Sequence, residues 1–236
     1  MTTDFQRARS AEDKRRRAEA LVEAARSLAL ESGVSSVTLT AVARRAGVHH
    51  SAMRRYFSSH KEVLLRLAGE GWVRWADRTC DELRTRGTLT AAQVAEVLVD
   101  GLDADPLFCD LLANVPLHLE HDVDIAHVRE FKHVSHAAVK ELVEATRTAL
   151  PSLGSEGALD LVRSANALAA TLWQVAHPPA PLAAAYATEP EIANTAQTDF
   201  APTLRRLLTA SSIGLTALRE TAELRRPPVC RPPERR

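Results

Sequence analysis

Arginine, histidine, serine and tyrosine side chains are concentrated between residues 49 and 61. Arg54 and Arg55 could each bond bidentately to guanine, and Tyr56 offers a hydroxyl to a phosphate. We therefore treat this stretch, with the polar residues before it, as a candidate DNA-binding surface. Its members are Thr38, Thr40, Arg44, His49, His50, Ser51, Arg54, Arg55, Tyr56, His60 and Lys61. The alternative is a solvated, charged helix face without a ligand, which is the default role of such residues.

Two short helices are predicted to carry these side chains, because apolar residues recur there three and four positions apart. The first should follow an N-cap at Thr38 and end at Gly47. The second should run from residue 49 or 50 to Tyr56, with Val48 and Phe57 packed inward. Two short helices joined by a glycine-containing turn have the layout of a helix-turn-helix, whose second helix enters the major groove.

Longer helices are predicted on both sides of this pair. The same periodicity predicts a helix over residues 14–31 and another over 61–84. Ser59 and Glu62 have the spacing of a capping box at the start of the second of these. That helix could physically link an N-terminal head to the rest of the chain.

Charge is unevenly distributed, although the chain as a whole has a formal net charge of zero. Residues 1–66 contain 13 basic and 7 acidic residues, residues 67–224 contain 12 and 22, and residues 225–236 contain 5 and 1. A basic head suits a polyanion, and an acidic body is repelled by phosphates. A chance imbalance is the alternative.

The remaining sequence predicts an all-α protein. Further helices are expected over residues 90–102, from Pro106 with a bend at Pro116, over about 25 residues ending before Pro151, over 155–176 and after Asp199. HPPAP, residues 177–181, predicts a loop. We expect three segments: a helix-turn-helix domain (1–66), a larger helical ligand-binding and dimerisation domain (67–224), and a disordered basic tail (225–236).

Residues 12–67 resemble the DNA-binding domain of the TetR family of bacterial repressors. The matching elements are Val42-Ala43, Ala46-Gly47-Val48, Tyr56-Phe57 and Ser59. Three positions depart from the usual pattern: Arg54 replaces an aromatic residue, His49 a capping serine or threonine, and His60 a lysine. The resemblance implies a homodimer held by the last two long helices, an effector pocket in each body, and release of operator DNA when the effector binds.

Candidate pocket and dimer residues follow from the apolar positions of the body. Pocket candidates are the large aromatic side chains Trp72, Trp75, Phe108, Phe131 and Trp173. Apolar stripes suited to a two-fold contact of four helices include Leu161, Ala165, Leu168, Leu172, Leu204, Leu208 and Leu215. In both cases ordinary internal core is the alternative.

Histidines of the body could in principle bind metal. His118 and His121 are three residues apart, as are His133 and His136. On one straight helix, however, His121 and His133 would lie about 18 Å apart. We expect a solvated polar face, with no metal and no cofactor. The sequence has no apolar run of the roughly 20 residues that a membrane span needs, so a cytoplasmic location is expected.

The sequence hypothesis is a homodimeric transcriptional regulator, most simply a repressor, that binds a near-palindromic operator and an unidentified small-molecule effector. Its recognition helices would lie about 34–36 Å apart in successive major grooves. One alternative is an all-helical enzyme or ligand carrier with a scaffold N-terminal domain. Another is an architectural protein that binds DNA without base preference.

Overall fold

The computed structural model describes residues 2–189, 191–193 and 199–224, with side chains from residue 12 to residue 222 of these segments. These residues contain no strand, so the predicted all-α class is confirmed. The helices are α1 (Thr2–Ser32), α2 (Leu39–Arg45), α3 (His50–Met53), α4 (His60–Arg86), α5 (Ala91–Asp103), α6 (Pro106–Asn114), α7 (Ile125–Ala149), α8 (Gly154–Ala176), α9 (Ala180–Thr188) and α10 (Phe200–Leu224). The predicted disordered tail, residues 225–236, lies outside the described residues. No described helix combines the length and the apolar character needed to cross a membrane.

The head, which we define as α1–α3 and the first turn of α4, has the predicted helix-turn-helix layout. Thr38 Oγ1 accepts a hydrogen bond from the Ala41 amide at 3.1 Å and so caps α2, as predicted. Gly47 has a φ of 67°, and the Val48 amide then donates to the Ala43 carbonyl at 2.9 Å. This left-handed glycine reverses the chain between α2 and α3.

The inward position assigned to Val48 is wrong, because its exposed fraction is 39%. Val48 lies in the tight turn, where helical periodicity does not apply. Met53, which is fully buried, fills the head core beside Phe57 and α1 instead. α1 also begins earlier than predicted, at Thr2 and not near residue 14.

The start of α4 differs in detail from the predicted capping box. Ser59 Oγ accepts from the Lys61 amide at 3.0 Å, so Ser59 is the N-cap. Glu62 does not reach back to Ser59. Its buried carboxylate accepts from the Ser58 amide at 2.8 Å and from the Ser58 hydroxyl. Serine and glutamate side chains thus still hold the start of α4, but Glu62 contacts Ser58 and not Ser59.

α4 forms the mechanical link between head and body and packs mainly against α7. Trp72 and Trp75 project from α4 into an aromatic cluster with Phe108 of α6, with ring centroids 5.4–6.1 Å apart. Gly71 lies against this cluster, because a Cβ there would be only 2.3 Å from Phe108 Cδ2. The centre of the body is therefore close-packed.

Prolines end or bend the body helices near the predicted places. α6 begins at Pro106 after an Asp105 cap, and the bend expected at Pro116 is a π-helical turn over Val115–Leu119. The loop predicted over residues 177–181 is shorter than expected. Ala180 and Pro181 belong to the first turn of α9, where proline costs no helical hydrogen bond.

The apolar stripes of α8 and α10 face the interior of the subunit. Leu161, Ala165, Leu204 and Leu208 are fully buried in a single chain, because α8 packs on α6, α7 and α10 at once. The outward faces carry other side chains. Ile213 and Leu218 of α10 are 58% and 69% exposed, and the predicted residues Leu168, Leu172 and Leu215 are half-buried.

Candidate nucleic-acid interface and ligand cavity

The predicted DNA-binding side chains lie together on the outer surface of α2, α3 and the turns around them. Among them the exposed residues are Thr38, Thr40, Arg44, His49, Ser51, Arg54 and Arg55, and the half-buried residues are His50, Tyr56, His60 and Lys61. Within the described part of the chain, no carboxylate lies within ion-pair distance of Arg44, Arg54 or Arg55. These three cations are therefore available to phosphates or base edges.

His49 retains the capping role that serine or threonine would have at this position. Its Nδ1 accepts from the Ser51 amide at 3.3 Å and lies 2.9 Å from Ser51 Oγ. The departure from the family pattern at His49 therefore does not leave α3 uncapped. It places an imidazole at the start of α3 beside the outward-facing Ser51.

Lys61 is turned toward the body. Its Nζ donates to the His121 carbonyl at 2.8 Å and lies 3.4 Å from Asp122 Oδ2, in the loop between the π-helical turn and α7. Asp122 has a φ of 57°, a conformation that asparagine and aspartate tolerate better than most side chains. Lys61 is thus a head–body contact, and its phosphate role stays a prediction that requires this contact to break.

His60, next to Lys61, is half-buried at the start of α4. Burial, and then the neighbouring charge of Lys61, hold the pKa of His60 below its ordinary value of 6.5. The side chain is therefore mainly neutral at pH 7 in the free protein. A phosphate placed beside it would favour the protonated form.

Two ion pairs that join α1 of the head to α4 were not anticipated. Arg66 of α4 pairs with Glu19 of α1, and Arg26 of α1 pairs with Glu70 of α4. The Arg66 hydrogen bonds lower the pKa of Glu19. The partners are 44 and 47 residues apart in sequence, so no local pattern could have revealed them.

A large cavity lies in the body between α4, α6, the π-helical turn, α7 and α8. Its volume is about 1120 Å³. Apolar side chains dominate the wall, and Trp72 and Phe131 are the two predicted pocket residues among them. Asn166 brings a polar group to the α8 side, and its Oδ1 has no hydrogen-bond partner among the described residues. We call this space the central cavity.

The other three pocket candidates lie away from the wall of the central cavity. Trp75 is buried in the aromatic cluster, where its Nε1 donates to the Leu98 carbonyl at 3.2 Å, and Phe108 is fully buried beside it. Trp173 stacks on His177 at 3.8 Å and meets Phe200 edge to face at 5.1 Å. Sequence alone could not separate these packing roles from cavity lining.

The histidine pairs of the body have separate surroundings. His133 and His136 lie in the wall of the central cavity, while His118 and His121 are exposed near the π-helical turn. Among the residues whose side chains are described, no three histidine, cysteine, aspartate or glutamate side chains converge on a common point.

Comparisons with known proteins agree with this architecture. The family model "Bacterial regulatory proteins, tetR family" matches residues 21–67, and the model "Tetracyclin repressor-like, C-terminal domain" matches residues 69–219. No curated protein matches the chain at a significant level.

Solved structures that align with most of the chain include three proteins named FadR. The fatty acid degradation regulator FadR from Bacillus halodurans is 13% identical, with a TM-score of 0.51 over 85% of this chain and 94% of that protein. Thermus thermophilus FadR, solved with lauroyl-CoA, is 17% identical, with a TM-score of 0.47 over 92% and 100%. Bacillus subtilis FadR, solved with stearoyl-CoA, is 13% identical, with a TM-score of 0.47 over 85% and 96%.

At these identities the first of the three supports the fold alone, and the family assignment depends on the two sequence models. One of them covers most of the head, including α2 and α3, and the other covers most of the body. The chain therefore belongs to the TetR family of bacterial transcriptional regulators.

Proposed function

We propose that this regulator is a homodimeric repressor that binds a near-palindromic operator through α3 and leaves it when a small, largely apolar effector enters the central cavity. The observation that carries the DNA-binding part is the outward face of the helix-turn-helix. There Arg54, Arg55 and Ser51 are exposed on one side while Met53 and Phe57 anchor the other side in the head core.

This geometry supports base reading by the side chains of α3 and of Arg54 and Arg55, which directly follow it. An exposed arginine can donate two parallel hydrogen bonds to the O6 and N7 atoms of guanine, and no other base pair presents that pattern in the major groove. Thr38, Thr40 and Arg44 at α2 are placed to contact the phosphates that flank the groove. Phosphate contacts would fix the orientation of the head, and α3 would supply the sequence preference.

A second subunit is supported by the outer surface of α10. Ile213 and Leu218 expose apolar surface there, and Leu215 is half-buried between them along the helix. A two-fold contact through this surface and the adjacent face of α8 would form a four-helix interface. It would also hold two α3 helices at a fixed separation, about 34–36 Å for successive major grooves.

The central cavity supports an effector of small-molecule size. Protein pockets for small ligands typically have volumes of about 300–1,000 Å³ and mostly apolar walls. The cavity of about 1120 Å³ is large enough, and apolar side chains dominate its wall. The preferred effector would therefore be mainly apolar.

A direct physical connection runs from this cavity to the head. Val115, Pro116 and Leu117 of the π-helical turn line the cavity, and the loop that follows holds Lys61 at the start of α4. An effector that displaces the turn would change the Lys61 contact and with it the position of the head. Release of DNA requires only that the effector binds the displaced arrangement more tightly.

The proposal is tested by selecting bound fragments from a random double-stranded DNA pool at about 150 mM salt, where nonspecific electrostatic binding is weakened. We expect one near-palindromic motif from the wild-type protein and from the control Arg84→Ala, whose side chain is exposed near the end of α4 that is opposite to the head. Fragments without a shared motif would indicate an architectural DNA binder. No enrichment by folded, dimeric protein would contradict the proposal.

A further inference from the structure

A second cavity lies at the junction of head and body, and we propose that it binds an amphipathic anion, a molecule with an apolar body and a carboxylate or phosphate head. Its volume is about 670 Å³. α1, the end of the α3 region, α4 and α7 contribute its walls. We call it the junction cavity.

The floor of the junction cavity is apolar. It includes Ala18 of α1, Leu65 and Gly69 of α4, and Phe131 and Val134 of α7. A Cβ on Gly69 would lie 3.6 Å from Val134 Cγ1, which is an ordinary van der Waals distance. Glycine is therefore not required here by close packing, and its missing side chain enlarges the cavity. Such a floor favours the apolar body of a ligand.

The mouth of the junction cavity is cationic. Lys14 and Arg15 of α1 and Arg55, which follows α3, line it and are exposed. Within the described part of the chain, no ion pair joins these three cations to a carboxylate. An anionic head group at the mouth would therefore find unpaired donors.

The carboxylates of the same lining are mostly paired. Glu62 is buried and accepts from Ser58, and Glu70 pairs with Arg26 and Arg66. Glu130 remains as an unpaired carboxylate among the described lining residues, against three unpaired cations. The balance of charge at the mouth thus favours an anion over a cation.

The junction cavity and the central cavity are different sites. Phe131 is part of both walls, and its own side chain is buried between them. Asn166 and the rest of α8 line only the central cavity, whereas the cations of α1 line only the junction cavity. A ligand of the junction cavity therefore needs the acidic head group that the effector of the central cavity does not need.

Occupancy of the junction cavity would oppose DNA binding. Arg55 belongs both to the mouth and to the candidate DNA-binding surface, so a bound anion and a DNA phosphate would compete for one guanidinium. This consequence rests on the proposed DNA binding. The existence of the site does not rest on it, so binding of the anion is measured without DNA.

The experiment is isothermal titration calorimetry of the full chain with dodecyl phosphate, used below its aggregation concentration. Dodecanol and inorganic phosphate, titrated separately, represent the apolar body and the head group alone. We expect one site per chain for dodecyl phosphate and about tenfold or more weaker binding of either half. Equal affinity for inorganic phosphate would show an adventitious ion only, and equal affinity for dodecanol would show that the cations do not contribute; either result overturns the proposal.

Matched variants locate the bound molecule. We expect Lys14→Gln combined with Arg15→Gln to weaken dodecyl phosphate binding about tenfold. Arg16→Gln combined with Arg17→Gln removes the same charge from the same helix outside the cavity lining and should change affinity less than about twofold. Ala170→Phe, which fills the central cavity, should also leave affinity unchanged. Equal effects of the two charge pairs, or loss of binding in Ala170→Phe alone, would overturn the proposal.

Discussion

The head and the body differ in where their candidate sites lie relative to the core. The site of the head is on the outer surface, and that of the body lies among the helices that form the core. In the head, α3 has only four residues, and its polar side chains extend outward from a core made by Met53, Phe57 and α1. In the body, the central cavity is partly open to solvent, and apolar helix faces that also form the core make up much of its wall. Substitution of the exposed side chains in and just after α3 should therefore change binding without changing stability, whereas substitutions in the body should change both.

The largest effect is expected where the body is packed most closely. Gly71→Ala would place a Cβ 2.3 Å from Phe108 Cδ2, and relief of this overlap should lower the free energy of unfolding by about 1–3 kcal/mol. Gly69→Ala, half a turn earlier in α4, makes only ordinary van der Waals contacts and should raise the free energy of unfolding by about 0.5–1 kcal/mol through helix propensity. Urea unfolding measures both. Equal effects of the two substitutions would mean that the body is not rigidly packed here.

The head should respond to loss of a cap. Thr38→Ala removes the Oγ1 acceptor of the Ala41 amide and should lower stability by about 1 kcal/mol. Thr40→Ala, in the first turn of the same helix, removes an exposed hydroxyl and serves as the control. Urea unfolding of both variants would show whether α2 depends on its cap, and a loss of the same size in both would argue against it.

Replacing a polar residue of the central cavity is expected to raise the free energy of unfolding, in contrast to loss of the cap. Asn166→Leu replaces an amide whose Oδ1 is unpaired among the described residues and should raise the free energy of unfolding by up to about 1 kcal/mol. Asn114→Leu is the control, because Asn114 Nδ2 donates to the Asp110 carbonyl at 2.8 Å and its loss should destabilise. Thermal unfolding of the free protein distinguishes the two. Destabilisation by both would show that Asn166 supports packing, not ligand binding.

The smallest effect concerns the pH dependence of His60. Because its folded pKa lies below its unfolded value, the folded protein disfavours protonation of this side chain. Its contribution to stability is complete above the unfolded pKa near 6.5 and is lost as the pH falls through the folded pKa. The His60→Gln variant lacks this loss. The free energy of unfolding of the variant, relative to that of wild type, should therefore increase as the pH is lowered from 7.5 to 5.5. A difference that stays constant would contradict the assignment.

Much of the head could be predicted from sequence because its structure is local. Thr38, Gly47 and Ser59 mark helix boundaries through contacts with residues two to four positions away. The exposed residues of α2 and α3 follow from the same short-range periodicity. Val48 was misplaced because the turn between the helices interrupts that periodicity.

The body was less predictable because its site depends on contacts between distant helices. Trp72 and Phe131 line the central cavity while Trp75 and Phe108 fill the core, although all four are large aromatic side chains on predicted helices. Leu161 and Leu204 were assigned to a subunit contact but are buried inside one chain. An apolar stripe shows that a helix face is covered, and only the tertiary packing shows what covers it.

We propose that α3 and the arginines directly after it read bases from an exposed surface whose side chains contribute little to folding. Fluorescence anisotropy with the selected operator and its single-base variants tests this proposal with Arg54→Ala, and Arg84→Ala, near the far end of α4, is the control.

We predict that Arg54→Ala weakens operator binding by about 1–3 kcal/mol and relaxes preference at one base position of each half-site. The free energy of unfolding should stay within about 0.5 kcal/mol of wild type. An equal loss on every DNA sequence would make Arg54 a phosphate contact, and unchanged binding would contradict the assignment of α3 as the recognition helix.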